Sequence, residues 1–207
     1  MIGGYNIQGL APTTKNAGNI YGQMADFQDE VQGLFTFYVQ MTVDQVVGAA
    51  QRYARSDASG YSASQASRVS GAIDTLSCSP SGNRELYSIF LSGKPLLIDN
   101  PASPYDDGWD PQTGHTKIDA DPDHPIYVNV GSEGHAVSDL APIWTIIGHE
   151  IGHQLNYGNA SGKDPEGFIW SDGFQDNISV NENPLRAWAG LRPRVDHSAQ
   201  PGPGFVP

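Results

Sequence analysis

A histidine–glutamate–x–x–histidine pattern at residues 149–153 constrains the fold of this chain more than any other feature. His149 and His153 are four residues apart within an apolar segment, so we expect both imidazoles on one face of a helix, one turn apart. Two imidazoles in this arrangement can hold one Zn²⁺. Glu150 lies one step around the helix, where its carboxylate can take a proton from an activated water and pass it to a leaving amine. The pattern therefore predicts a metal-binding helix, which we place over 140–157 with Ser138 or Asp139 as its N-cap.

The third metal ligand has to come from downstream of this helix. A catalytic zinc takes three protein ligands and leaves one position open. No histidine follows His153 at short spacing, which makes a carboxylate the expected donor. Asp164, Glu166 and Glu182 are the candidates, and spacing alone does not choose among them.

The N-terminal third of the chain is predicted to be mainly helical. Apolar residues at helical spacing over 19–54 indicate one or two helices, and we interpret their aromatic residues, Phe27, Phe35, Phe37 and Tyr38, as packing in the core rather than as a partner-binding face. Ser, Gly and Ala dominate 56–83, which is typical of a connector holding a short helix over 64–76.

Short strand-like runs fill the region before the motif. Residue composition and flanking turn residues predict strands over 86–91, 95–98, 115–120 and 126–130. A last helix is predicted from Asn181 to Leu191, with Pro184 in its first turn. The sequence therefore predicts an α+β protein with a small mixed sheet and a helix that carries the HExxH motif.

The domain organisation follows from these elements. We expect a flexible leader over 1–18, one domain over 19–197 and a Pro/Gly-rich tail over 198–207. Within the domain, 19–84 form a helical scaffold and connector, and 85–197 form the sheet and the metal site. A chain of 207 residues can bury a sufficient core by itself, so we expect a monomer.

Composition excludes several classes of partner. The formal net charge is −12, and the 11 Lys and Arg residues do not cluster, so we expect neither nucleic acid nor an anionic membrane surface as a partner. The apolar runs are too short for a transmembrane helix. A single cysteine excludes an intrachain disulfide framework, a Cys-rich zinc site and an iron–sulfur cluster, and fits synthesis in a reducing compartment.

Two parts of the sequence together resemble a known family. They are the HExxH motif and the block E-N-P-L-R-A-W-A-G-L-R-P-R at 182–194. Together they resemble the zincin metallopeptidase domain of type III-secreted bacterial effectors that cleave host MAP kinases, and of related polymorphic-toxin domains. The resemblance covers about residues 115–195.

The resemblance implies a set of site residues. In that family a Glu precedes the E-N block at a spacing that falls here on Glu166, so His149, His153 and Glu166 are the implied zinc ligands and Glu150 the catalytic residue. Glu182 is the alternative third ligand, because the family's run of several Glu is reduced here to one Glu beside Asp164.

The activity implied by the resemblance is that of a zinc-dependent endopeptidase. It would be secreted by a bacterium without a Sec signal and would act in the host cytoplasm on a protein, with a host kinase as the first candidate. We expect the substrate to add as a strand to an edge strand over 126–130. Two alternatives remain open, a zinc-stabilised protein-interaction module without protease activity and a metal-dependent hydrolase of a non-peptide bond.

Overall fold

The computed structural model describes residues 14–132, 135–156, 167–170 and 173–201, with side chains over 28–132, 135–155 and 177–195. The chain divides into two compact units, Met1–Gln40 and Met41–Pro207. The described part contains the helices α1 Thr14–Ala54, α2 Ala63–Cys78, α3 Pro80–Ser92, α4 Ile143–Asn156 and α5 Asn183–Trp188. It contains the strands β1 Ile98–Asp99, β2 Gly108–Asp110, β3 His115–Lys117, β4 Ile126–Val130, β5 Val137–Leu140, β6 Gly167–Trp170, β7 Gly173–Asp176 and β8 Arg194–Pro201. The protein therefore has a mixed α+β fold with small sheets.

Helix α1 is one continuous helix, and three of the aromatic residues predicted to pack in the core do not lie there. The side chain of Phe27, the fourth, lies outside the described residues. Phe35, Phe37 and Tyr38 are each about half exposed or more, so the interpretation of this stripe as core packing is wrong for these residues. Burial along α1 begins at Thr42 and Val43 in the second unit. Helical spacing of apolar residues indicates an apolar face but does not say whether the same chain covers it.

Helix α2 belongs to the core, although its segment has the composition of a connector. Ser62 and Gln65 form a reciprocal capping box at its start. Its buried apolar side chains are small or aliphatic: Ala66, Val69, Ala72, Ile73 and Leu76. The Ser- and Ala-rich composition therefore reflects close helix packing rather than a mobile link.

Residues 86–91 were expected to form a strand, and they lie in helix α3 instead. The Ser79 hydroxyl accepts a hydrogen bond from the backbone N–H of Gly82 at 2.9 Å, and Pro80 is the first helical residue. Gly93 ends the helix in the left-handed conformation, with φ of 68°. Leu86 and Ile89, three residues apart, are both buried. Start and stop signals thus outweigh the β-like composition of this short run.

The strands form two three-stranded sheets, ordered β1-β3-β2 and β5-β4-β8, and the hairpin β6-β7. Strand β4 has the predicted bounds and buries Ile126, Val128 and Val130 in alternation. It lies between β5 and β8, pairing antiparallel with both. The prediction that 126–130 form an edge strand is therefore wrong, and among the described strands of this sheet β5 and β8 are the outer ones.

The start of the metal-binding helix also differs from the prediction. Ser138 and Asp139, expected as N-caps, belong to strand β5, where they pair with Asn129 and Val128. Helix α4 begins at Ile143, and the carbonyl of Pro142 accepts the N–H of Thr145 at 2.9 Å. A turn of two residues, Ala141 and Pro142, thus separates β5 from α4.

Helix α4 packs against α2 and α3 through buried apolar side chains. Ile147 and Ile151 have no exposed surface, and neither do Leu76 and Leu86 on the facing helices. No helix in the described ranges has the length and apolar character that a membrane span needs.

One carboxyl group is buried in this core. Glu85 on α3 is 2 % exposed, and neither of its oxygens has a hydrogen-bond partner among the described residues. Its Oε2 lies close to Gly148 of α4. Burial raises the pKa of Glu85 well above its usual value of 4.5, against a smaller lowering by Arg84.

We predict that Glu85 makes the fold less stable as pH rises. A raised pKa means that the folded chain holds this proton more tightly than the unfolded chain, so the stabilisation is complete below pH 4.5 and is lost as pH rises from there toward the folded-state pKa. Glu85→Gln removes the titration. Its free energy of unfolding should exceed that of the wild type by about 1 kcal/mol or more at pH 8, with the difference shrinking toward pH 4.5. Urea unfolding at a series of pH values measures this, and Asp123→Asn, which alters an exposed carboxyl group, is the control. Parallel pH profiles for wild type and Glu85→Gln would contradict it.

Candidate metal centre

Helix α4 brings three potential metal-binding side chains together. His149, Glu150 and His153 are 6–8 % exposed, and one ligand atom from each lies within 4.8 Å of the others. The two imidazole Nε2 atoms are 3.1 Å apart, and the rings are almost perpendicular, at 81°. This group can therefore bind a metal ion.

The geometry of the histidine pair fits tetrahedral coordination. Two imidazole nitrogens that bind the same tetrahedral zinc at about 2.0–2.1 Å lie about 3.3–3.4 Å from each other. The observed 3.1 Å separation needs only a small adjustment to reach this value. Burial of both rings also limits the conformational entropy that binding would cost, because the side chains are already ordered.

At both glycines that precede the motif's histidines, side chains from other parts of the chain lie very close to helix α4. A Cβ at residue 152 would overlap the side-chain amides of Asn177 and Asn181, and a Cβ at residue 148 would overlap Leu185. The elements after the β6-β7 hairpin therefore lie directly on α4. Only glycine leaves enough room at these two positions.

The segment that covers Gly152 is hydrogen-bonded to the backbone of α4. Asn177 donates from its amide to the carbonyl of His149 at 2.9 Å, and Asn181 donates to the Asn177 amide oxygen at 2.7 Å. Asn177 precedes a π-helical turn, Ile178–Glu182, that leads into α5. The wider turn is a feature often found at functional sites.

Glu182, at the end of this π-helical turn, contacts the outer nitrogen of His149. Its Oε2 lies 3.2 Å from Nδ1 of His149 and accepts a hydrogen bond from Arg194 at 2.8 Å. Its Oε1 lies 3.5 Å from Nη1 of Arg186. A carboxylate at Nδ1 selects the tautomer in which Nε2 carries the lone pair, which is the nitrogen that faces His153.

The charge of Glu182 is maintained by its partners. Burial alone would raise the pKa of Glu182, but the close contact with Nδ1 of His149 and the positive charge of Arg194 outweigh it and hold the pKa below its usual value. A buried carboxylate is thus available to orient the imidazole over the whole neutral range.

The E-N-x-x-R block also folds the following chain back onto the site. The Asn183 side chain donates to the carbonyl of Arg194 at 3.0 Å and accepts its backbone N–H at 2.8 Å. Arg186 donates from Nε to the carbonyl of Arg192 at 2.7 Å. Glu182, Asn183 and Arg186 therefore together place the guanidinium of Arg194 against the carboxylate that holds His149.

The structure describes only one of the three candidates for the third metal ligand. Glu166 and Asp164 lie outside the described residues, so Glu166 as a zinc ligand stays a prediction. Glu182 lies at Nδ1 of His149 rather than beside the two Nε2 atoms. In this position Glu182 can orient the imidazole of His149.

Several residues of the site carry no signal that sequence reasoning could use. Asn177 and Asn181 are single amides in a polar stretch, and Arg194 is twelve residues from its partner. The only local hint is the four-residue spacing of Glu182 and Arg186, which is that of an ion pair on one helix face.

Asp107, just before β2, is a further missed residue. Its Oδ1 accepts the backbone N–H of Asp119 at 2.6 Å. Burial raises the pKa of Asp107 to about 7; the hydrogen bond from Asp119 opposes this, and the negative charge of Glu150 adds to it. Strands β2 and β3 pack against α4, so tertiary structure alone brings this carboxyl group within electrostatic range of Glu150.

Comparisons with protein-family models, with curated proteins and with solved structures find no match to this chain. The function therefore has to be argued from the site itself.

We predict that Gly152→Ala displaces the segment that covers α4. The added methyl group has to overlap Asn177 and Asn181, which costs about 1–3 kcal/mol of stability. Gly71→Ala, at an exposed position in α2 where an added Cβ meets nothing within 4 Å, is the matched control and should stabilise by about 0.5–1 kcal/mol. Urea unfolding of both variants tests the pair. Equal effects of the two substitutions would show that Asn177 does not lie on Gly152.

We predict that Glu182→Gln weakens metal binding without removing it. Loss of the charged acceptor at Nδ1 of His149 should lower the affinity for Zn²⁺ about 10–100-fold. Asp139→Asn, which breaks the exposed pair with Arg192 at 3.0 Å, makes the same chemical change away from the site and should have no effect. Competition with a chromogenic chelator measures both affinities. Wild-type affinity in a folded Glu182→Gln variant would refute the orienting role.

Proposed function

We propose that the protein is a zinc-dependent endopeptidase. The observation that carries the proposal is the buried pair of Nε2 atoms, 3.1 Å apart, with the Glu150 carboxyl group beside them. Imidazole donors in this arrangement favour zinc among the common divalent ions. A solvated helix face would have no need of this degree of burial or of a carboxylate behind one imidazole.

In this proposal His149 and His153 hold the zinc, and Glu166 is its third protein ligand. Zinc, when bound, makes a coordinated water more acidic and polarises the carbonyl group of a substrate. Glu182 keeps His149 in the tautomer that binds and prevents rotation of its ring. Asn177 holds the backbone at His149, so ring and backbone are positioned independently.

Glu150 is the catalytic residue and acts as a proton carrier. It follows His149 directly, so its side chain leaves the helix about 100° from that ligand and does not compete for the same position. Its carboxylate accepts a proton from the attacking water and returns it to the nitrogen of the leaving amine. Its low exposure excludes bulk water that would otherwise weaken both transfers.

The proposal extends to the class of substrate. An extended segment of a protein can add to the outer strand β5, which ends shortly before α4 begins. The net charge of −12 favours basic segments. The resemblance in the HExxH motif and the E-N-x-x-R block suggests a bacterial effector secreted without a Sec signal, with a host kinase of the MAP kinase group as its first candidate substrate.

We predict that Glu150→Ala keeps zinc and loses hydrolysis. The histidine ligands are unchanged, but the proton carrier is gone, so the rate should fall by at least about a hundredfold. His153→Ala should lose both zinc and activity, because one imidazole and one carboxylate cannot hold the ion against a chelator. The measurements are zinc content after dialysis against a weak chelator and cleavage of a basic peptide library and of purified MAP kinases.

Glu30→Ala is the control for this experiment, since it removes an exposed glutamate outside the site. It should retain the zinc content and activity of the wild type. Equal zinc content in wild type and His153→Ala would refute the metal centre, and full hydrolysis by Glu150→Ala would refute the mechanism. Zinc binding without cleavage of any peptide or kinase would favour the interaction-module alternative.

A further inference from the structure

The first unit of the chain presents an apolar stripe that the described residues leave uncovered. Val31, Leu34, Phe35, Phe37 and Tyr38 on α1 are between 47 % and 69 % exposed. They lie within eight consecutive residues of one helix. A contiguous exposed patch of this kind is unusual on a monomer and marks an interaction site.

The spacing of the stripe is that of a coiled-coil seam. With Val31 at heptad position a, Leu34 occupies d, Tyr38 the next a and Met41 the next d. The sequence continues the same alternation of three and four residues back through Phe27, Met24 and Ile20. Helix α1 covers this whole run, so the seam is about 32 Å long.

We infer that α1 pairs with α1 of a second copy of this chain as a parallel, two-stranded coiled coil. A β-branched residue at a with leucine at d, as at Val31 and Leu34, favours two parallel strands. Phe35 and Phe37 occupy the flanking e and g positions, so they extend the apolar contact on both sides of the seam. The inference concerns helix α1 and does not rest on the proposed enzymatic function.

The acidic residues of α1 select the parallel orientation. In a parallel pair each g position faces the e position five residues ahead on the partner, so Glu30 faces Phe35. No like charges meet there. In a fully overlapped antiparallel pair, g faces g, and Glu30 would lie opposite its own copy. The like-charge contact disfavours this alternative.

The test uses the full-length protein in sedimentation equilibrium between about 1 and 100 µM. The wild type should sediment as a dimer at the upper concentrations. Leu34→Lys puts a charge at a d position and should be monomeric. Gln32→Lys is the matched control, because it adds the same charge at an exposed position b outside the seam and should dimerise like the wild type. Circular dichroism of the wild type and of both variants shows that the helices remain folded.

A cysteine at the seam tests the orientation. Leu34→Cys in a Cys78→Ser background should form an intermolecular disulfide with oxidised glutathione, since the two d positions of a parallel pair lie side by side. Gln32→Cys in the same background should not. A wild type that stays monomeric at 100 µM would overturn the inference, and so would a dimer that Leu34→Lys leaves intact. Dimerisation without the Leu34→Cys disulfide would overturn the parallel arrangement.

Discussion

The contact between Nδ1 of His149 and the Glu182 carboxylate joins the two halves of the site. Helix α4 carries both histidines, but a helix alone sets only the positions of their Cα atoms, and each imidazole could still rotate. Glu182 removes this freedom at His149 and is itself held by Arg186 and Arg194. The orientation of the His149 ring therefore depends on the packing of segment 177–194 against α4.

The close approach of these elements depends on small residues in α4. Gly148 admits Leu185, and Gly152 admits the amides of Asn177 and Asn181. A glycine inside a helix costs about 0.5–1 kcal/mol relative to alanine. Here that cost is offset by the hydrogen bonds and apolar contacts that the bare backbone makes possible. The two glycines beside the histidines in 148–153 thus serve packing, whereas His149, Glu150 and His153 form the group that can bind a metal ion.

The parts that could be predicted from the sequence are those set by local spacing. Strand β4 and the meeting of His149 with His153 follow from periods of two and four residues. Helix α3 was missed because the strand over 86–91 was predicted from composition, whereas the cap at Ser79 and the stop at Gly93 set the helix. The position of β4 at the centre of its sheet depends on β8, some sixty residues away, and no local pattern encodes that pairing. The partners of Glu182 were missed for the same reason, since Arg194 reaches it only after the chain folds back.

Three carboxyl groups around α4 differ in charge because their surroundings differ. Glu182 is ionised, since His149 and Arg194 compensate for its burial. Glu85 has no such partner, so burial favours its protonated form. Asp107 lies between these cases, with a pKa raised to about 7 by burial and by the charge of Glu150. The charge of each described carboxyl group near the metal-binding face is therefore set by its depth of burial and by the charged groups beside it.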